Sequence, residues 1–185
     1  CFDTIVKLVK ATADYKRVRV VNVSGATFSN AGSTIVEELA FTLSAAHDYL
    51  CKLMERGLTI DEAARKIRFT FAVTSNYFLE MAKFRAARML WANIVKAYNP
   101  EKNCACKMFA HAVTSTWNQT VYDPYVNMLR GTTEAMSAAI AGVHSLEVLP
   151  FDYAFEAPTV FSKRISRIAQ LLLKKESHFG QVIVP

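Results

Sequence analysis

Three side chains with acid–base chemistry lie in or beside short apolar runs, where an α/β protein would hold a site. His111 and Glu147 each lie within such a run, and His144 directly precedes the run that contains Glu147. An imidazole can accept or release a proton near neutral pH, and a carboxylate in a strand needs a partner or a wet cavity to offset its desolvation. A buried, hydrogen-bonded structural role is the alternative for both histidines, and the spacing assigns no nucleophile and base pair.

Residues 24–27, Ser-Gly-Ala-Thr, form a junction between a β-branched run and a helical pattern, where α/β enzymes carry catalytic side chains. Neither Ala26 nor Thr27 is a good acid, base or metal ligand. Cys104 and Cys106 are separated by one residue, where a zinc or redox pair has two, and no second pair matches them. The cysteines therefore indicate the reduced thiols of a cytoplasmic protein.

The elements that must position these residues alternate between short strands and longer helices. An opening helix over 2–15 precedes four strand–helix units, and a capping box at Thr34 and Glu37 marks the start of one helix. β-branched and aromatic runs predict the strands, and apolar residues every three or four positions predict the helices. The predicted strands span 18–23, 67–73, 107–113 and 145–149, and the helices that follow them span 35–57, 77–98, 125–141 and 161–177.

This alternation predicts an α/β fold with parallel strands joined by right-handed crossovers. Two architectures fit four units: an open doubly wound sheet, or about half of a TIM-type (β/α)8 barrel, whose full length is ~250 residues. No glycine-rich phosphate loop or Walker sequence follows any strand, which favours the half barrel with its helices on the outside. Function is then expected at the carboxyl ends of the strands.

Composition and charge narrow the classes of function. The 185 residues are 52% hydrophobic and 21% charged, which suits one globular domain, and no apolar run approaches the ~20 residues of a membrane span. The net charge of +6 is dispersed along the helices, which is typical of solvated faces. A basic module that binds RNA or a membrane surface is the alternative that this charge raises.

Three longer stretches resemble the barrel of the methylmalonyl-CoA mutase family. They span 76–100, 114–152 and 161–179, and the likeness extends over 16–185. Short motifs fall in order at the family's spacing: Arg85-Ala86-Ala87-Arg88, Asp123-Pro124-Tyr125, and Gln170 through Glu176-Ser177. The resemblance implies a (β/α)8 barrel threaded by the CoA chain, a separate flavodoxin-like cobalamin domain, and interconversion of methylmalonyl-CoA and succinyl-CoA. In many bacteria this family forms a heterodimer of a catalytic large subunit and a related small subunit.

The resemblance also implies where catalytic residues should stand, and this sequence departs from that pattern. Catalytic chains carry Ser-Gly-Tyr-His at the first junction, where the histidine hydrogen-bonds the thioester carbonyl, and here Ala26-Thr27 replaces the last two residues. Phe109 replaces the arginine of an Arg-x-His motif whose histidine is His111. In the family's Gly-Thr-Gln-Ser-Leu-His, His144 replaces the glutamine and Glu147 the final histidine.

We therefore expect a vacated substrate pocket with no catalytic residue and no metal ligand. Phe28, Phe109 and His144 are expected to close the CoA channel, because empty space in a protein core is destabilising. Glu147 is expected to pair with a histidine, His144 being the nearest in sequence, or with a nearby cation. The pocket's predicted lining is Ala26, Thr27, Phe109, His111, His144 and Glu147, with Glu176 as a candidate cofactor-facing position.

The resemblance further implies a role without catalysis. The sequence lacks the family's cobalamin-ligating Asp-x-His-x-x-Gly and the first half of the barrel, so 1–185 is expected to be a single domain of a small, structural subunit, with no cobalamin domain. Adenosylcobalamin would serve the whole enzyme without binding these residues. The expected partners are the catalytic large subunit and further copies of this piece, in the cytoplasm, with no nucleic acid and no membrane. The alternative is a catalytic acyl-CoA mutase chain of altered specificity, in which Thr27, His144 and Glu147 do new work.

Overall fold

A single four-stranded parallel sheet with flanking helices forms the framework of residues 1–179, the part of the chain that the computed structural model describes. The strands are hydrogen-bonded in chain order, β1-β2-β3-β4. This confirms the predicted α/β class and is consistent with half of a (β/α)8 barrel. The strands are β1 (Val21–Ser24), β2 (Ile67–Val73), β3 (Ala110–Thr114) and β4 (Ser145–Glu147). The helices are α1 (Phe2–Ala11), α2 (Ala26–Asn30), α3 (Ile35–Met54), α4 (Ile60–Arg65), α5 (Tyr77–Lys96), α6 (Val126–Ile140) and α7 (Val160–Lys175), with a 3-10 turn at Asn103–Cys106.

The core lies between the helices and one face of the sheet. Alternate residues of β2 point to that face, and their side chains are fully buried. Phe69 meets Trp91 of α5 edge-on at a centroid distance of 4.8 Å, and Phe71 meets Phe84 of α5 at 5.7 Å. These aromatic contacts fix α5 against the central strands, so that the loops at the strand ends hold defined positions.

The other face of the sheet is polar. Arg68 and Thr70 of β2 lie on it, and both donate hydrogen bonds to Asn22 Oδ1 of β1, at 3.1 and 2.7 Å. The parallel register places His111 of β3 beside Thr70, and Ser145 of β4 beside His111. In a closed barrel this polar face would line the interior.

Two capping boxes set the starts of helices. The predicted box at Thr34 and Glu37 is confirmed, with the Thr34 amide donating to Glu37 Oε2 at 2.8 Å. Thr59 and Glu62 form a second box that starts α4, a helix absent from the sequence prediction although it carries the same signature. After α5 the chain turns at Asn99, which has a left-handed φ of 52° and is followed by Pro100. Neither this φ nor a proline is compatible with a continuing helix.

Several predicted boundaries were wrong. The strand predicted over 18–23 begins only at Val21, because Arg19 stacks on Phe109 instead of extending the ladder. The strands predicted over 107–113 and 145–149 are Ala110–Thr114 and Ser145–Glu147. Residues 26–30 form the short helix α2 where a loop was expected, and the opening helix ends at Ala11 rather than residue 15. Among the helices of residues 1–179, none combines the length and apolarity needed to cross a bilayer.

Candidate functional site

A small polar cluster lies on the open face of the sheet, around His111. Its Nδ1 is 2.8 Å from Ser145 Oγ, and its Nε2 is 3.8 Å from Glu147 Oε2, an ion-pair distance that is too long for a hydrogen bond. Burial and the charge of Arg68 lower the pKa of His111, against the raising effect of Glu147. The pair therefore joins a largely neutral imidazole to an exposed carboxylate. Glu147 was expected to face a histidine or a nearby cation, and the histidine that it faces is His111.

His144 lies at the amino-terminal end of the sheet, apart from this cluster. It precedes β4, accepts a hydrogen bond at Nδ1 from the amide of Ala110 at 3.3 Å, and stacks on Phe109 with ring centroids 4.5 Å apart. Arg19 covers Phe109 at 5.1 Å from the ring centroid. Burial, followed by the charges of Arg88 and Arg19, lowers the pKa of His144. The stack leaves His144 engaged in packing.

Ala26 and Thr27 lie at the opposite, carboxyl-terminal end of the sheet, at the start of α2. Ala26 is buried and Thr27 is exposed, and the Thr27 hydroxyl donates to Ser24 Oγ across a long 3.4 Å. The ring of Phe28 packs on Phe41 of α3, 5.4 Å between centroids. Phe28 thus contacts a helix, and the closing of a channel by Phe28, Phe109 and His144 stays a prediction.

Glu176 is exposed and directly follows α7. The last turn of α7 borders a cavity of about 560 Å³ that the amino-terminal end of β4 also lines, with His144, Lys174 and Phe179 in its wall. Glu176 therefore lies near the end of the sheet remote from Thr27. The structure brings together His111 and Glu147, and separately Phe109 and His144, but it does not gather all the predicted residues into one pocket.

Sequence reasoning missed a buried charge cluster under the carboxyl end of β2. Lys83 Nζ lies 2.7 Å from Glu38 Oε2 and 2.6 Å from Glu80 Oε2, and it donates to the carbonyl of Ala72 at 2.6 Å. The contact with Glu80 Oε2 has the distance of an ion pair without the angles of a hydrogen bond. Glu38 Oε1 accepts a hydrogen bond from the amide of Ala72 at 2.9 Å. This amide lies beyond the end of β1, so the carboxylate takes the place of a partner on the neighbouring strand.

A third carboxyl group, Glu134 of α6, lies buried behind the end of β3. Asn118 Nδ2 donates to Glu134 Oε1 at 2.5 Å. Burial above all, reinforced by the negative charge of Glu80, raises the pKa of Glu134 to about 8. The carboxyl group of Glu134 is therefore mainly protonated and uncharged at neutral pH. Its hydrogen bond with Asn118 holds the loop after β3 in place.

The approach of β1 to α3 depends on Gly25, and replacing it by alanine is expected to destabilise the chain. A Cβ at this position would overlap Thr42 Oγ1 and lie 3.2 Å from Glu38 Cγ. We expect Gly25→Ala to lower the free energy of unfolding by about 1–3 kcal/mol, as overpacking does in cores. Gly131→Ala in α6 is the matched control, since its Cβ would meet Val148 Cγ1 at an ordinary 3.5 Å. Urea unfolding of both variants would contradict this if the losses were equal.

Comparison with known proteins places this architecture. The profile of the family described as methylmalonyl-CoA mutase matches residues 2–185. The chain is 49% identical over 179 residues to the methylmalonyl-CoA mutase small subunit of Porphyromonas gingivalis, covering 96% of this chain and 29% of that protein. It is 38% identical over 182 residues to the methylmalonyl-CoA mutase of Rhizobium meliloti, covering 98% of this chain and 26% of that protein. It is 38% identical over 166 residues to the mitochondrial methylmalonyl-CoA mutase of Homo sapiens, covering 89% of this chain and 22% of that protein.

A half-barrel sheet with outer helices and a polar inner face defines the class, an α/β protein of the (β/α)8 type. Within that class, the chain belongs to the methylmalonyl-CoA mutase family, as the match over residues 2–185 shows. The chain spans less than a third of the length of the curated relatives it matches.

Proposed function

We propose that this chain is the second half of the barrel of a small, non-catalytic subunit of a methylmalonyl-CoA mutase, and that it supports a catalytic large subunit. The observation that carries the proposal is the end of β1, where catalytic relatives carry a histidine and this chain offers the hydroxyl of Thr27, spaced 3.4 Å from Ser24 Oγ. The 49% identity to a protein named as a small subunit supports the same assignment. Residues 1–185 would then be one domain of a longer cytoplasmic protein.

The vacated pocket is central to this proposal. Phe109 contacts Arg19 and His144, and its apolar ring lacks the charge with which a guanidinium would bind phosphate. His111 already contacts Ser145 and Glu147, and an acyl-CoA would have to displace these contacts. These contacts among the chain's own residues support a structural role for the inner face.

The described residues do not fit a cobalamin. A histidine that held the cobalt of a cobalamin would need a ring nitrogen free of other contacts. Within residues 1–179, His47 contacts Tyr98 on the outer helices, His111 contacts Ser145, and His144 packs on Phe109. His178 follows α7, beyond Glu176 and at the far end of the sheet. Adenosylcobalamin would therefore serve the whole enzyme through other residues.

Two features support association as part of the same proposal. β1 and β4 are the edge strands of the sheet in residues 1–179, and open edges invite pairing with further strands. Aromatic side chains such as Trp117, Tyr122 and Tyr125 are largely exposed on the loop after β3. We infer that a large subunit and the remainder of the small subunit cover these surfaces, and that the isolated piece self-associates.

Turnover by the full-length protein tests the proposal. We expect the protein alone, with adenosylcobalamin and methylmalonyl-CoA, to give no succinyl-CoA and no change in the cobalamin spectrum, and we expect activity once the large subunit is added. Thr27→His should not restore turnover, because each missing preorganised donor costs ~10²–10³ in rate and Phe109 would still stand in place of an arginine. Turnover without the partner would contradict the proposal and favour the catalytic chain of altered specificity.

A further inference from the structure

A cysteine, a tyrosine and a histidine form a contact cluster on the outer helices, away from the sheet's inner face. His47 and Cys51 lie one turn apart on α3, and Tyr98 follows the end of α5. The Tyr98 hydroxyl is 2.6 Å from His47 Nε2 and 3.3 Å from Cys51 Sγ, while Sγ and Nε2 are 3.8 Å apart. The role proposed above for the inner face uses none of these groups.

The geometry gives the thiol a route for its proton. Cys51 S–H can donate to the Tyr98 oxygen while Tyr98 O–H donates to His47 Nε2, so one proton shift along the chain leaves a thiolate and an imidazolium. In that state the direction reverses, with His47 donating to Tyr98 and Tyr98 donating to the sulfur. The hydrogen bond to Cys51 is the main reason that the pKa of Tyr98 is raised, which means that the phenol keeps its proton beside the thiolate.

The cluster is also accessible from solvent. His47 is exposed and Cys51 is half-buried, so a small molecule can reach the sulfur from the outer surface. A thiolate with a neighbouring base and a phenolic donor is the arrangement that makes a cysteine nucleophilic. Cys104 is exposed and Cys106 is buried, so the same chain supplies an accessible reference thiol and a protected one.

We propose that Cys51 is a site of reversible modification by small-molecule disulfides, activated by the proton relay through Tyr98 to His47. The thiolate of Cys51 attacks one sulfur of the disulfide R–S–S–R and forms a mixed disulfide. The S–S bond of the reagent breaks, and the departing R–S⁻ takes the proton held by His47 and leaves as R–SH. The Cys51 sulfur is oxidised and the released half of the reagent is reduced, so electrons and protons balance without a further reactant.

The test measures the rate of modification at each cysteine in the full-length protein. The probe is 2-hydroxyethyl disulfide, which is small and uncharged, and peptide mass spectrometry follows the adducts at Cys51, Cys104 and Cys106. We expect Cys51 to react at least about fivefold faster than Cys104 despite its lower exposure. Excess reduced thiol should reverse the adduct. A rate at Cys51 equal to or below that at Cys104 would overturn the proposal.

Two variants separate the relay from simple access. Tyr98→Phe and His47→Gln should each slow the reaction of Cys51 at least about threefold and leave the rate at Cys104 unchanged. Cys106 reports on folding, because a loosened structure would expose it. If Tyr98→Phe exposes Cys106, the decision rests on His47→Gln, whose side chain is exposed. Unchanged reactivity of Cys51 in His47→Gln would show that the relay through Tyr98 does not activate the thiol.

Discussion

Replacing Lys83 by methionine is expected to lower the free energy of unfolding by about 3–5 kcal/mol at neutral pH. The substitution keeps the length of the side chain but leaves Glu38 and Glu80 buried without their cation, since the side chains of Lys83 and Glu80 are 0% exposed and that of Glu38 is 1% exposed. The carbonyl of Ala72 also loses the ammonium group that lies 2.6 Å away. Breaking a buried ion pair from one side costs far more than the intact pair contributes, because a desolvated charge remains.

Lys52→Met is the matched control for that experiment. Lys52 pairs with Asp48 at 2.6 Å, but the two side chains are 40% and 53% exposed, and such surface pairs contribute about 0–1 kcal/mol. Urea unfolding of this chain should show a large shift for Lys83→Met and a small one for Lys52→Met. The penalty at Lys83 should shrink as the pH falls, since protonation removes the uncompensated charge. Equal shifts for the two lysines would show that the cluster is not desolvated, and failure of Lys83→Met alone to fold would agree with the expectation.

The alternation of strands and helices was predictable because it rests on local signals. β2 was predicted at its observed bounds, because a short β-branched and aromatic run between polar residues is typical of a buried strand. The start of α3 was equally accessible from the capping box at Thr34 and Glu37. The edge strands β1 and β4 were predicted too long, because their ends depend on tertiary contacts such as the stacking of Arg19 on Phe109.

The surroundings of the candidate site depended on contacts that sequence spacing does not encode. His111 and His144 were both expected to line one pocket, yet the ring of His144 stacks on Phe109 while His111 contacts Ser145 across the ladder. Glutamates on helices are usually solvated, so the sequence pattern did not predict that Glu38, Glu80 and Glu134 are buried. One signal was present: Thr42 and Glu38 lie one and two turns before Ala46 on the buried face of α3.

Glu134→Gln is expected to stabilise the chain at pH 8 by about 4 kcal/mol while leaving its stability near pH 4.5 almost unchanged. Glu134 is 2% exposed, and its pKa is raised from 4.5 to about 8. Between these values the unfolded chain has lost the proton and the folded chain still holds it. The free energy of unfolding contributed by this group therefore falls as the pH rises through the window, by roughly 1.4 kcal/mol per pH unit, and levels off above the folded pKa.

Glutamine at position 134 removes this titration while keeping the oxygen that accepts from Asn118. It also removes the charge that would face Glu80 once the carboxyl group ionises. Subtracting the wild-type unfolding curve from that of the variant at each pH cancels all other titrating groups. The difference should grow steadily from pH 5 to pH 8. Glu156→Gln, at an exposed loop position, should give a flat difference, and a flat difference for Glu134→Gln as well would mean that this carboxyl group is ionised in the folded protein at neutral pH.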